Sequence, residues 1–306
     1  MKTRIELETT GNKILNSVRT ELYLSMRFMG PALGSLGFKM DLSTRTVGTD
    51  AAFIRFNPTY LLHTYIERPE LLNRAYMHML MHCLFRHMFS AKEHEDSELW
   101  DLCCDIAVES VVDSMEYPSI LRVTSDFRQQ WYEKLTAELK VLTAEKLYHY
   151  FILRKRDPYL EESLRQEFAM CDHSFWDRMQ PPEDEDDKNP KTPMENESNE
   201  SDSEQQPAGE KQQDTTPMGS MDPKEEEWKE NAKRIESDME TYAKDAAEDA
   251  GKLAWMLKLQ NRERKSYKEY LKKFSVLREE VSVDMDSFDY GFYMYGLSMY
   301  GNMPLI

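Results

Sequence analysis

Residues 77–87 read Met-His-Met-Leu-Met-His-Cys-Leu-Phe-Arg-His. On a helix, His78 and His82 stand one above the other, with Cβ atoms about 5–6 Å apart, so both imidazoles can reach one cation. That is the histidine spacing of a zinc-hydrolase helix. In such a helix the residue after the first histidine is the glutamate that activates a metal-bound water. Here the position is Met79, which takes no proton. His87 lies five residues beyond His82, a rotation of about 500°, so an unbroken helix would turn it away from the pair. The pair itself serves either as half of a metal site or as a satisfied pair in an apolar core.

A second helix bears on that choice. From Ser97 to Met115 the acids Asp101, Asp105 and Glu109 recur every fourth residue, while Leu102, Cys103, Cys104, Ile106, Ala107, Val108, Val111 and Val112 cover most of the remaining circumference. A narrow acidic stripe on a mostly apolar helix needs cations or donors, because a buried unpaired carboxylate is costly. Two stacked histidines and a facing Asp105 would make a three-ligand Zn²⁺ site with an open position. Acids paired with arginine or backbone donors are the metal-free alternative. Cys171-Asp172-His173-Ser174-Phe175-Trp176 offers a further ligand in His173 and a carboxylate in Asp172, or a surface turn anchored by Trp176. Cys83, Cys103, Cys104 and Cys171 show no Cys-x-x-Cys pair and read as small buried hydrophobes in a reducing compartment.

Around these helices the pattern is α+β and predominantly helical. Residues 8–29 carry Ile14, Leu15, Val18, Leu22 and Met26 at helical spacing, with Gly30-Pro31 as a stop. Residues 38–42 and 52–56 alternate like two short strands, with Gly48-Thr49-Asp50 in the connection, which predicts a small antiparallel β-hairpin or sheet. Asn57-Pro58 caps a helix to about Ile66, and Arg68-Pro69 opens the histidine helix. Another helix is expected from Thr143 to about Lys155. Beyond Asp222-Pro223 a long charged helix has a seam of Trp228, Ala232, Ile235, Met239, Tyr242 and Ala246 that should pack onto the first region. Residues 266–280 read as helical too.

Charge and composition set limits. The 306-residue chain carries a formal charge of −17, which argues against nucleic acid or an anionic membrane surface as the main partner. No run of about 18 apolar residues is present to span a bilayer. Met1-Lys2-Thr3-Arg4-Ile5-Glu6 lacks the apolar core of a secretion signal, so a cytoplasmic protein is expected. Residues 181–220 hold twelve acids, three lysines and six prolines, and no aromatic residue, Leu, Ile or Val. A segment of that kind is expected to be a disordered spacer. The ending Met303-Pro304-Leu305-Ile306 reads as a chain cut before another domain. Phosphate loops, nucleophile elbows and basic aromatic stripes are missing.

The ordered set of motifs resembles a bacterial family described as putative metallopeptidases, in which a zincin-like domain precedes a von Willebrand A-like domain. The family's turn and Asn-Pro are similar to Val47-Gly48-Thr49-Asp50 and Asn57-Pro58. Its His-Glu-x-x-His-x-x-x-x-His matches His78, Met79, His82 and His87. Its Trp followed by a short Ala-x-Asp helix ending in Asn matches Trp100, Asp105 and Glu109, and residues 143–148, Asp172-His173 and Trp176 follow in order. The resemblance covers roughly residues 10–180, with a weaker echo up to residue 306. It implies a zincin-like domain over 1–178, an acidic linker over 179–221, and a helical segment over 222–306 that packs back before a von Willebrand A-like domain. It implies Zn²⁺ held by His78, His82 and Asp105, with His87 and His173 as further candidates. The partners it implies are the von Willebrand A-like domain, an AAA-type ATPase and a peptide substrate. Met79 in place of the base points to a non-catalytic scaffold or adaptor. The catalytic alternative would need Glu109 or Asp172 as general base, and a metal-free helical interaction protein is a third reading.

Overall fold

Thr3 and Glu6 close a capping box on the first helix, α1 (Arg4–Ser25), which buries Ile14, Leu15, Val18 and Leu22. The computed structural model describes residues 3–176 and 222–261, with the side chains of 242–249 excepted. The acidic segment 181–220, the helix expected over 266–280 and the C-terminal residues lie outside those described. Helix α1 ends four residues earlier than the sequence suggests. Gly30-Pro31 does not stop it but begins a short helix of its own, α2 (Gly30–Ser35), with proline in the first turn, where its missing N–H costs nothing.

Three short strands follow, β1 (Gly37–Met40), β2 (Val47–Thr49) and β3 (Phe53–Phe56), in the order β1-β3-β2. β1 runs parallel to β3, and β2 antiparallel to it. The sheet is therefore mixed, and the two strands legible in the sequence are parallel neighbours. Val47–Thr49, which reads as connection because it is short and holds a glycine, supplies the antiparallel partner.

Asn57 accepts hydrogen bonds from the Thr59 and Tyr60 amides and caps α3 (Pro58–Glu67). Pro69 opens α4 (Pro69–Leu84), whose residues from Leu72 onward are all buried. A helix buried on every side belongs at the centre of a core. Beside it lies α6 (Ser97–Val112), capped by Asp96 and equally buried from Leu99 onward apart from Asp101. Between them, α5 (His87–Ser90) follows a break at Arg86. Then come α7 (Asp126–Leu139), α8 (Ala144–Ile152) and α9 (Pro158–Phe168). Helices α7 and α9 are not among those expected, although Ser125 and Asp157-Pro158 are capping signals at their starts. No described helix is long and apolar enough to cross a membrane.

The last two described helices are α10 (Pro223–Asp249) and α11 (Gly251–Asn261). Trp228, Ala232, Ile235 and Met239 are buried, as their spacing predicts, in the same core as α1 to α9. Trp228 has no exposed surface, and its Nε1 donates to the Ala51 carbonyl at 2.9 Å. Ala51 sits at φ 64° between β2 and β3, so the indole fastens a strained turn. Trp228→Ala should cost about 3–5 kcal/mol, measurable by denaturant unfolding. A cost under about 1 kcal/mol would mean that α10 does not share the core.

Candidate metal centre

Two stripes face each other across α4 and α6. On α4, Arg74, His78 and His82 are spaced by four, and on α6 Asp105, Glu109 and Asp113 are spaced likewise. Arg74 pairs with Glu109 and Asp113, His78 with Glu109 and Asp105, and His82 with Asp105. The helices therefore run antiparallel, and basic groups meet acids along the whole seam. At one end the seam is an ion-pair network. At the other it becomes a cluster of donors.

In that cluster the ligand atoms of His78, His82, Asp105, Cys171 and His173 all lie within 4.8 Å of one another. Three imidazoles aim Nε2 at the same carboxylate oxygen, Asp105 Oδ1, from 3.0 Å (His78), 3.3 Å (His82) and 3.2 Å (His173). The Nε2 atoms of His78 and His82 are 2.8 Å apart. His173 Nε2 is buried without a hydrogen-bond partner despite its closeness to Asp105. Nitrogens and oxygens this close repel unless protons or a cation stand between them. Tetrahedral bonds of about 2.0–2.1 Å would separate nitrogen and oxygen ligands by about 3.3 Å, near the spacings found. The donors thus fit a metal ion.

The far side of each ring is secured. His78 Nδ1 is 2.8 Å from Glu109 Oε1, His82 Nδ1 is 3.1 Å from His87 Nδ1, and His173 Nδ1 is 3.6 Å from Asp101 Oδ1. Metal-binding histidines are held this way, with one nitrogen tied back so that the other keeps its lone pair for the ion. Trp176 stacks on His173 with ring centroids 4.0 Å apart.

His87 reaches this position because the helix does not continue. Arg86 adopts φ 58°, ψ 30°, and the chain turns back through α5. Trp100 Nε1 donates to the His87 carbonyl at 3.2 Å, and an Arg86 guanidinium nitrogen donates to the Gln260 carbonyl of α11. His87 therefore belongs to the centre, but behind His82, outside the five converging donors. Burial, with His82 and His173 nearby, lowers its pKa and keeps it neutral.

Neither candidate base, Glu109 or Asp172, is among the converging donors. Glu109 is fully buried and sits on the Nδ1 side of His78, away from the cluster. Its other oxygen is 2.6 Å from Arg74 and 2.8 Å from Arg128. Burial would raise its carboxyl, but His78, Arg74 and Arg128 hold it far below the ordinary range, so it is a fixed anion. Asp172 accepts from the Ser174 amide at 3.0 Å and shapes the turn before His173. Its carboxylate is not one of the converging donors.

Cys171 is the ligand candidate missing from the sequence-based set. Burial alone would raise its thiol, but His173 and His78 bring it well below the usual value. Likewise, burial would raise Asp105, and His173, His78 and His82 lower it. The one available signal was that Cys171 stands two residues from His173.

The loop with Cys171 and His173 docks on β2. The Asp172 amide donates to the Val47 carbonyl at 2.8 Å, and Gly48 pairs with Asp172. A Cβ on Gly48 would stand 2.3 Å from the Asp172 carbonyl oxygen and 2.6 Å from the Phe175 ring. Gly48→Ala should therefore displace two of the five donors. It is expected to destabilise by about 1–3 kcal/mol and to weaken metal affinity at least tenfold by competition titration. Unaltered affinity would count against the loop's part in the site.

A family model for the putative metallopeptidase domain matches residues 14–268. This chain belongs to that family. No curated protein and no solved structure matches it. The metallopeptidase family accords with a buried cluster of histidine, aspartate and cysteine suited to a metal ion. The matched span takes in α10 and α11 as well as the helices of the cluster.

Proposed function

We propose that this member of the putative metallopeptidase family holds Zn²⁺ in a closed, non-catalytic site. The observation that carries the reading is the donor count. Five protein groups converge, whereas zinc in a hydrolytic site takes three and keeps a position for water. Nitrogen, oxygen and sulfur together suit a borderline cation such as Zn²⁺. When bound, the ion would supply Lewis acidity and folding energy. His78, His82, Asp105 and His173 would hold it, with Cys171 as the fifth donor. Met79 is buried, and Glu109 and Asp101 face the ring nitrogens turned away from the cluster. These features support a scaffold role. By resemblance the partners would be a von Willebrand A-like domain and an AAA-type ATPase, in the cytoplasm.

The test is metal analysis of protein purified without a polyhistidine tag, followed by incubation with a mixed peptide pool. About one Zn²⁺ per chain and no cleavage are expected, and Met79→Glu alone should not create cleavage. Absence of bound metal sinks the metal reading. Chelator-sensitive hydrolysis by the unaltered chain overturns the non-catalytic reading.

A further inference from the structure

The cluster contains one donor more than a tetrahedral ion uses. Four of the five are fixed by α4, α6 and the stacked pair His173–Trp176. Asp105 Oδ1 ties the three histidines together, and each of those rings has a partner on its outer nitrogen. Cys171 differs. Like His173 it lies after α9 in a segment without helix or strand and is partly exposed, but His173 is stacked on Trp176. It forms part of the wall of a cavity of about 410 Å³, shared with Tyr60, Arg68, Arg122 and Gln166. The ligand atoms of His78 and His173 lie within 4.8 Å of its thiol, so Cys171 belongs both to the donor cluster and to the wall of this cavity.

We propose that Cys171 is the exchangeable ligand of the centre. Its thiolate closes the coordination position facing the cavity, and an oxygen-donor anion of the carboxylate or hydroxamate class entering there displaces it. The inference rests on the metal-binding reading above. Cys171 gives up a sulfur–metal bond as the anion forms an oxygen–metal bond, and no electrons change hands. The released thiolate stays beside the imidazoles of His78 and His173. The cavity suits an anion at Arg68, which stands exposed on its wall; Arg122 and Glu167 line it too and pair with each other at 3.2 Å. A centre built in this way would be silent until a ligand of that class arrived. It could then report the ligand through the loop that the neighbouring Asp172 anchors on β2.

Absorption spectroscopy of the full chain loaded with Co²⁺ provides the test, with acetohydroxamate as the probe. The unaltered chain should show visible Co²⁺ bands and a near-ultraviolet thiolate charge-transfer band, and saturating acetohydroxamate should remove only the latter. Cys171→Ser and Cys171→Ala should keep about one Co²⁺, lack the charge-transfer band, and bind acetohydroxamate at least ten times more tightly. A charge-transfer band that survives acetohydroxamate overturns the proposal, as does visible Co²⁺ absorption without that band. Failure of both variants to fold or hold Co²⁺ makes Cys171 a fixed ligand and also overturns it. If the unaltered chain binds no Co²⁺ at all, the metal-binding reading falls as well.

Discussion

Glu109→Ala should destabilise the protein by about 3–5 kcal/mol, the cost of leaving buried charges unpaired. For a chain of this size that is a fall in Tm of roughly 6–20 °C. Glu109 is the junction of the seam between α4 and α6. One oxygen takes His78 Nδ1, and the other takes Arg74 and Arg128, whose side chains are almost wholly buried. Asp113, held also by the Tyr132 hydroxyl at 2.8 Å, would remain for both arginines, and Glu167 would remain 3.4 Å from Arg128 alone. Arg74 would then share its last carboxylate with Arg128, and both guanidiniums are buried. Glu109→Gln should cost nearly as much, because an amide turned to accept from His78 would point its donors at the arginines. Glu109→Asp keeps the charge but shortens the reach, and should be the mildest of the three. His78 would lose its orienting partner in the alanine variant, so metal affinity should fall by roughly 10–100-fold. A change in stability below about 1 kcal/mol for Glu109→Ala would show that the arginines find other partners. The role of Glu109 as an anchor for His78 would then be untenable.

The same residue shows how far the sequence could be read. The four-residue steps of His78–His82 and of Asp101, Asp105 and Glu109 fixed which faces of α4 and α6 matter, because helical period alone sets those positions. Extending each stripe by one step, to Arg74 and Asp113, would have exposed the basic-against-acidic complement and with it the antiparallel pairing. It would also have shown Glu109 to be neutralised by arginine and so unsuitable as a base. Other parts depended on contacts that periodicity does not encode. The αL conformation at Arg86 is held by tertiary bonds from Trp100 and to Gln260, so no local signal announced that His87 would turn back to His82. Cys171 and His173 reach the centre through a docking of residues 171–176 on Gly48. The parallel pairing of β1 with β3 likewise depends on β2, a three-residue strand with a glycine at its middle.

Removing the metal should have an effect as large as losing Glu109. Structural Zn²⁺ in small domains contributes apparent binding energies of about 10–16 kcal/mol. Here a core stands without it, so only the linked part should appear as stability. With free metal at a thousand times Kd that part is about 4 kcal/mol, or roughly 8–16 °C in Tm. Excess chelator should lower the thermal midpoint by this amount, and readded Zn²⁺ should restore it. His82→Ala should bring the midpoint at least to the chelated value and make it indifferent to chelator, because its Nε2 faces the cluster between His78 and Asp105. His87→Ala should behave otherwise. It removes only the support behind His82, so metal should still bind, about 10–100-fold more weakly, and the midpoint should still respond to chelator. That ordering separates a ligand from the residue that orients it. It also separates both from a core that merely stores histidines. In that last case chelator would leave the unaltered protein's midpoint where it was, while His82→Ala lowered it through lost packing alone. The crowding of three imidazole nitrogens on one Asp105 oxygen argues for the first outcome, since only protons or a cation can hold such a cluster together.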